Sequence, residues 1–144
     1  MRSVWADSDP RLDTNAKSLF WQSAEAIYIE ADALGKPEPK YRTEIRTRWT
    51  KNNLYILFMC PYQKLNLKPG PNTSAETNEL WNWDVAEAFI GSDFKNIRRY
   101  REFELSPQGE WVDLDIDLDK PHHDARGWGS SRNTANRIAR LAEL

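Results

Sequence analysis

A chain of 144 residues, 40% apolar and 29% charged, is sized for one soluble domain over 1–144 that buries about two thirds of its unfolded surface. A net charge of −2 lacks the basic excess that a phosphate backbone attracts, so nucleic acid is not an expected partner. No run of about 18 apolar residues occurs, so no membrane span is expected, and the residues after Met1 do not open the apolar core of a signal peptide.

Asn15–Ala26 is read as a short helix and Ala26–Glu30 as a strand. Arg42–Trp49 alternates, with Arg42, Glu44, Arg46 and Arg48 on one face and Thr43, Ile45, Thr47 and Trp49 on the other, the pattern of a half-buried antiparallel strand. Lys51-Asn52-Asn53 is a turn, where Asn tolerates left-handed backbone angles. Leu54–Cys60 is apolar on both faces, which predicts a central strand and a hairpin with the strand before it. Cys60, the only cysteine, is expected to be a buried small hydrophobe.

Pro61–Glu79 carries three prolines and reads as a long loop, of the length that is usually functional or disordered. Val85–Gly91 and Tyr100–Ser106 are strands, and Pro107-Gln108-Gly109 is a turn. Trp111–Leu118 alternates strictly, predicting Val112, Leu114, Ile116 and Leu118 inward and Trp111, Asp113, Asp115 and Asp117 outward. His122–Arg132 is a polar loop, and Asn133–Leu141 a final strand with a helix as competitor. Short strands separated by turn signals give an all-β chain, an antiparallel β-sandwich.

Leu80–Ile90 is the stretch that speaks to function. It places Trp81, Trp83, Asp84 and Glu87 ahead of an apolar run, in a chain with seven tryptophans. Indole faces bind flat apolar surfaces and carboxylates accept from hydroxyls; a sugar ring presents both. The structural alternative is a strand over 81–89 that sends Trp83, Val85 and Phe89 into the core, with Glu87 paired to an arginine. Asp84 is read as a turn cap through backbone N–H groups.

Asp113, Asp115, Asp117 and Asp119 are spaced like the start of a calcium loop, but Leu118 stands where the sharp turn needs glycine, so they are read as the solvated face of a strand. His122-His123-Asp124 has metal-ligand residue types in a polar surface loop. Arg98-Arg99-Tyr100-Arg101 is read as a basic face balancing nearby carboxylates.

Three segments in order carry a resemblance. They are Trp49-Thr50-Lys51-Asn52-Asn53-Leu54-Tyr55-Ile56, Trp81–Ile90 with its W-x-x-D-x-x-E-x-F-I-like pattern, and Tyr100–Gly109. Together they resemble the family 9 carbohydrate-binding modules and family 9-like domains, over most of the chain. The resemblance implies a jelly-roll-like β-sandwich and non-catalytic binding of a glucan- or xylan-type oligo- or polysaccharide. It also implies polysaccharide catabolism, a fused or associated glycoside hydrolase, and an extracellular or periplasmic location.

On that pattern Trp81 is the first of two tryptophans that clamp a reducing-end sugar, and Glu87 its hydroxyl acceptor. Trp83 flanks them. Glu104 and Ser106 occupy the positions where the family carries Arg and Asn. The family's second clamp Trp and last strands lie beyond the matched region, which leads to the expectation of a C-terminally truncated module. No cofactor is expected, although some family members hold a structural calcium. Two other readings stand beside this one. One is a partner-binding or structural sandwich without sugar binding. The other is a glycoside hydrolase drawing a carboxylate pair from Asp84, Glu87, Glu102 and Glu104.

Overall fold

The computed structural model describes residues 1–91 and 93–120. The expected loop over His122–Arg132 and the final strand over Asn133–Leu141 lie outside the described residues. The described residues are all-β, with two mostly antiparallel sheets and almost no helix. It forms two compact units, Met1–Lys64 and Leu65–Leu144.

The first unit holds β1 (Val4–Trp5), the single-turn helix α1 (Leu19–Gln22), β2 (Ile27–Ile29), β3 (Thr43–Trp49) and β4 (Leu54–Met59). β3 organises it. β4 runs antiparallel along one edge of β3, from Glu44 opposite Met59 to Trp49 opposite Leu54. The other edge is shared: β2 pairs antiparallel with Thr43–Ile45, and β1 pairs parallel with Arg48 and Trp49. The alternation in β3 holds, with Ile45 and Thr47 buried.

The opposite face of β3 is covered as well. Trp21 of α1 forms a buried cluster with Tyr55 and Leu57, edged by Leu12, Ala16, Phe20 and Met59. A one-turn helix leaves its carbonyls short of intrahelical partners, although Trp21 O does accept Ala24 N–H (3.1 Å). The arginines of β3 satisfy them: Arg46 Nη1 donates to Trp21 O (3.0 Å) and Arg48 Nη1 to Phe20 O (2.9 Å). Arg48 Nη2 also donates to Trp5 O (2.6 Å), tying β1 to β3.

Four expectations for this unit are corrected. The helix over Asn15–Ala26 shrinks to Leu19–Gln22, because Asp13 and Asn15 accept the backbone N–H groups of Asn15 and Lys17 and so hold turns in place of a helix. β4 is not central: among the described residues it pairs with β3 alone. Cys60 is exposed, because β4 ends at Met59 before reaching it.

The hairpin turn, fourth, does not use left-handed asparagines; Glu79 is the one described non-glycine residue with positive φ. Instead the Thr50 hydroxyl accepts the N–H groups of Asn52 and Asn53 (3.2 and 3.0 Å). Asp9 then gathers the turn, accepting from Thr50 Oγ1, from Asn52 Nδ2 (3.0 Å) and from Tyr55 Oη (2.8 Å). These bonds hold the Asp9 carboxyl well below the usual carboxylate range.

The second unit is a three-stranded antiparallel sheet in the order β5 (Ala86–Ile90), β6 (Arg99–Leu105), β7 (Trp111–Asp117). Gly109, at φ +88°, closes the β6–β7 turn that Pro107-Gln108-Gly109 predicts. Val112, Leu114 and Ile116 point to one face and form the unit's core with the fully buried Leu80, joined by Val85 and Tyr100.

Two orientation predictions fail here. Leu118 lies past the end of β7 and is 41% exposed, and Asp113 is buried. The other acids of that stripe meet the basic cluster: Asp115 pairs with Arg101, Asp117 with Arg99 (3.2 Å), and Asp119 with Arg98 (2.6 Å).

The loop leading to β5 is held from below. Glu110, fully buried, accepts from Asn72 N and Thr77 Oγ1 (both 3.4 Å) and lies 3.7 Å from Lys68 Nζ. Gln108 Nε2 donates to Lys68 O (2.9 Å) and Thr77 N to Trp111 O (2.9 Å).

Candidate functional site

Trp81 does not belong to a strand. Leu80–Asn82 form a 3-10 turn, entered through Glu79 in the left-handed region (φ +59°), and β5 begins only at Ala86. Leu80 drives into the core against Val112, Leu114 and Ile116. Its neighbour Trp81 therefore stands on a turn seated on that sheet face, and the residue is 46% exposed.

Trp83 follows, partly buried, its N–H donating to Leu80 O (3.0 Å). Asp84 does not cap its own turn but ties it to the preceding loop: its Oδ2 accepts Asn66 N–H (2.8 Å) and its own N–H donates to Asn66 O (2.9 Å).

The register assembles the acidic part. Glu87 of β5 lies directly opposite Glu104 of β6, and Phe89 opposite Glu102. Glu104 in turn faces Val112 and Glu102 faces Leu114. Side chains of directly opposed residues share a face. Glu87, Glu102 and Glu104 therefore stand together on the core-facing side of the sheet, beside apolar residues. One carboxylate oxygen from each lies within 4.8 Å of the other two.

The three differ in exposure. Glu104 is 2% exposed, and among the described residues neither of its carboxylate oxygens meets a donor. Glu87 and Glu102 are partly exposed. Burial, reinforced by Glu87 and Glu102, pushes the Glu104 carboxyl up to about 8. At neutral pH it holds a proton, which it can share only with a neighbouring carboxylate. Burial and then Glu102 also raise Glu87. The arginine that the structural alternative paired with Glu87 is not what faces it: its charged neighbour is Glu102.

Thus the structure brings Glu87 and Glu104 together and adds Glu102, which the sequence offered only as one of four carboxylates for a hydrolase. The signal for it was the two-residue spacing of Glu102 and Glu104, which places both on one face of a strand. Ser106 stays apart, buried in the β6–β7 turn, where its hydroxyl accepts Gln108 N–H (3.0 Å).

Farther along the same face, Phe89 and Tyr100 meet edge to face at 5.7 Å and line a groove of about 260 Å³ with Gly91, Asp93, Phe94 and Ile97.

No protein-family model matches this chain, and neither does any curated protein or solved structure.

Proposed function

We propose that the second unit presents a non-catalytic carbohydrate-binding face, with Trp81 stacking on the C–H face of a pyranose and Glu87 accepting its hydroxyls. The observation that carries this reading is the Trp81 turn: a 46% exposed tryptophan held out by a fully buried Leu80. An exposed aromatic on a fixed seat loses little entropy on stacking. Glu104 supports it too, since a buried carboxylate without donors is matched by a ligand rich in hydroxyl donors. Trp83, partly buried beside Trp81, flanks the stack, while Ser106 is engaged in its own turn and takes no part.

Stacking gains about 25 cal/mol per Å² of apolar area removed from water, and a charge-assisted hydrogen bond about 1.5–3 kcal/mol. After the cost of immobilising the sugar, this leaves affinity between about micromolar and millimolar. The glycan class that goes with this reading is glucan or xylan, in polysaccharide catabolism outside the cytoplasm beside a glycoside hydrolase.

The test is a tryptophan-fluorescence titration with cellobiose and xylobiose, alongside their borohydride-reduced forms. Saturation by the intact sugars, lost in Trp81→Ala, is the expected result. A flat response from a chain folded by circular dichroism would sink the reading.

A further inference from the structure

Three carboxyl groups gathered on the apolar side of a sheet, one of them buried, call for a shared proton or a counter-charge. We propose that Glu87, Glu102 and Glu104 form a binding site for one hard divalent cation of calcium's size. This goes beyond sugar recognition and does not depend on it.

The geometry comes first. Oxygens around calcium lie 2.3–2.6 Å from the ion, so two ligand atoms of one shell are at most about 5 Å apart. The three glutamates each place an oxygen within 4.8 Å of the others, so small side-chain rotations bring all three onto one ion without moving the backbone. A magnesium shell at about 2.0–2.1 Å would draw every pair within about 4.2 Å. The donors are all carboxylate oxygens, which suit hard cations and not zinc or copper.

The scaffold is rigid. The ligands come from two adjacent strands in fixed register, Glu87 opposite Glu104 and Glu102 two residues along the same face. Acidic clusters on surfaces are common, but Glu104 sets this one apart. It is 2% exposed, aimed into the cluster, and both of its oxygens lack a donor among the described residues. A buried carboxylate in that condition is costly unless a proton or a cation compensates it.

The arginines of the same strand do not supply the charge. Arg99 and Arg101 point to the opposite face, where they pair with Asp117 and Asp115. A dication in the cluster answers all three carboxylates at once, and water completes the shell at the partly exposed Glu87 and Glu102.

The test is calorimetric titration of calcium chloride, without sugar, into the full chain stripped with a chelator. Terbium luminescence excited through tryptophan is the second readout. One-site binding with Kd about 0.1–1 mM is expected, the range of modules with few protein ligands. Glu104→Gln and Glu102→Gln should each weaken it about tenfold or more, since affinity follows ligand charge. Glu87→Gln, at the solvent side of the cluster, should weaken it as well without touching the core. Magnesium should bind less tightly than calcium.

No saturable signal up to about 10 mM calcium would overturn the proposal. Calcium binding undiminished in Glu87→Gln and Glu102→Gln would overturn it equally, by placing the ion elsewhere. Magnesium binding as tight as calcium would overturn the size assignment. Far-UV circular dichroism on each variant separates lost ligation from lost fold.

Discussion

Glu104→Gln should make the chain more stable, and increasingly so as pH rises. Glu104 sits opposite Glu87 and next to Glu102 on a sheet face it shares with Val112, Leu114 and Ile116. In the folded chain its carboxyl keeps its proton up to about 8; its ordinary value is 4.5. Between those values the folded state binds a proton that the unfolded state has released. Stability must therefore fall as pH climbs from about 4.5 to about 8, and level off above. The raised carboxyl of Glu87 acts in the same direction.

Each pH unit with one such proton is worth about 1.4 kcal/mol, so the ceiling over that window is about 5 kcal/mol. Solvent at the partly exposed Glu87 and Glu102 reduces this, and a loss of about 2–3 kcal/mol is expected. Glutamine has the shape of the protonated acid, stays neutral, and donates to the neighbouring carboxylates. The variant should match wild type within about 1 kcal/mol near pH 5 and exceed it by about 2–3 kcal/mol at pH 8.5. Urea denaturation in EDTA, followed by tryptophan fluorescence at pH 5, 6.5 and 8.5, measures both curves. If they run parallel across that range, Glu104 titrates alike in the folded and unfolded chains and the buried-carboxyl argument fails. Calcium at pH 8.5 should then raise the wild-type midpoint and leave the variant's nearly unchanged.

Leu80→Ala should cost about 2–5 kcal/mol in urea denaturation, because it empties the centre of the second unit's core, and should red-shift tryptophan emission as the Trp81 turn loosens. Glu79→Asn should leave stability level or raise it by up to about 1 kcal/mol, since Asn tolerates the left-handed backbone at φ +59°; a clear loss of melting temperature would show that the Glu79 side chain has a structural role. Asp9→Ala should lower the melting temperature and speed amide exchange at Asn52 and Asn53, because it removes the acceptor that gathers the hairpin turn. Unchanged exchange would show that Thr50 holds the turn alone.

The sequence was most legible where pattern and local chemistry agree. The alternation in β3 and β7, the turn at Gly109 and the pairing of the Arg98–Arg101 cluster with Asp115, Asp117 and Asp119 all follow from period-two patterning and charge. What failed depended on neighbours distant in sequence. β4 has a central strand's composition, yet its apolar face is covered by α1 and not by flanking strands. Asp113 is buried despite its place in a polar stripe. For Trp81, treating 81–89 as one strand would place the indole on the face of Val85 and Glu87. The left-handed Glu79 and the 3-10 turn instead separate its orientation from that of β5, and no periodicity in the sequence encodes that break.

The glutamate cluster lies between these cases. Its same-face spacing in β6 was visible, but its closure required the β5–β6 register, and register is a tertiary property. β6 divides its charges by face. Arg99 and Arg101 form largely solvated ion pairs, each worth at most about 1 kcal/mol. Glu102 and Glu104 stand instead where the pattern of β7 calls for apolar partners to Leu114 and Val112. Like charges placed directly opposite each other are destabilising, and an apolar side chain at 104 would pack on Val112 without that cost. Folding alone therefore gives no reason for an acid at this position. A residue that breaks the local rule without a compensating contact among the described residues is where a ligand should be sought. The cation among the three glutamates follows from that departure, whereas the sugar proposal rests on the separate Trp81 turn.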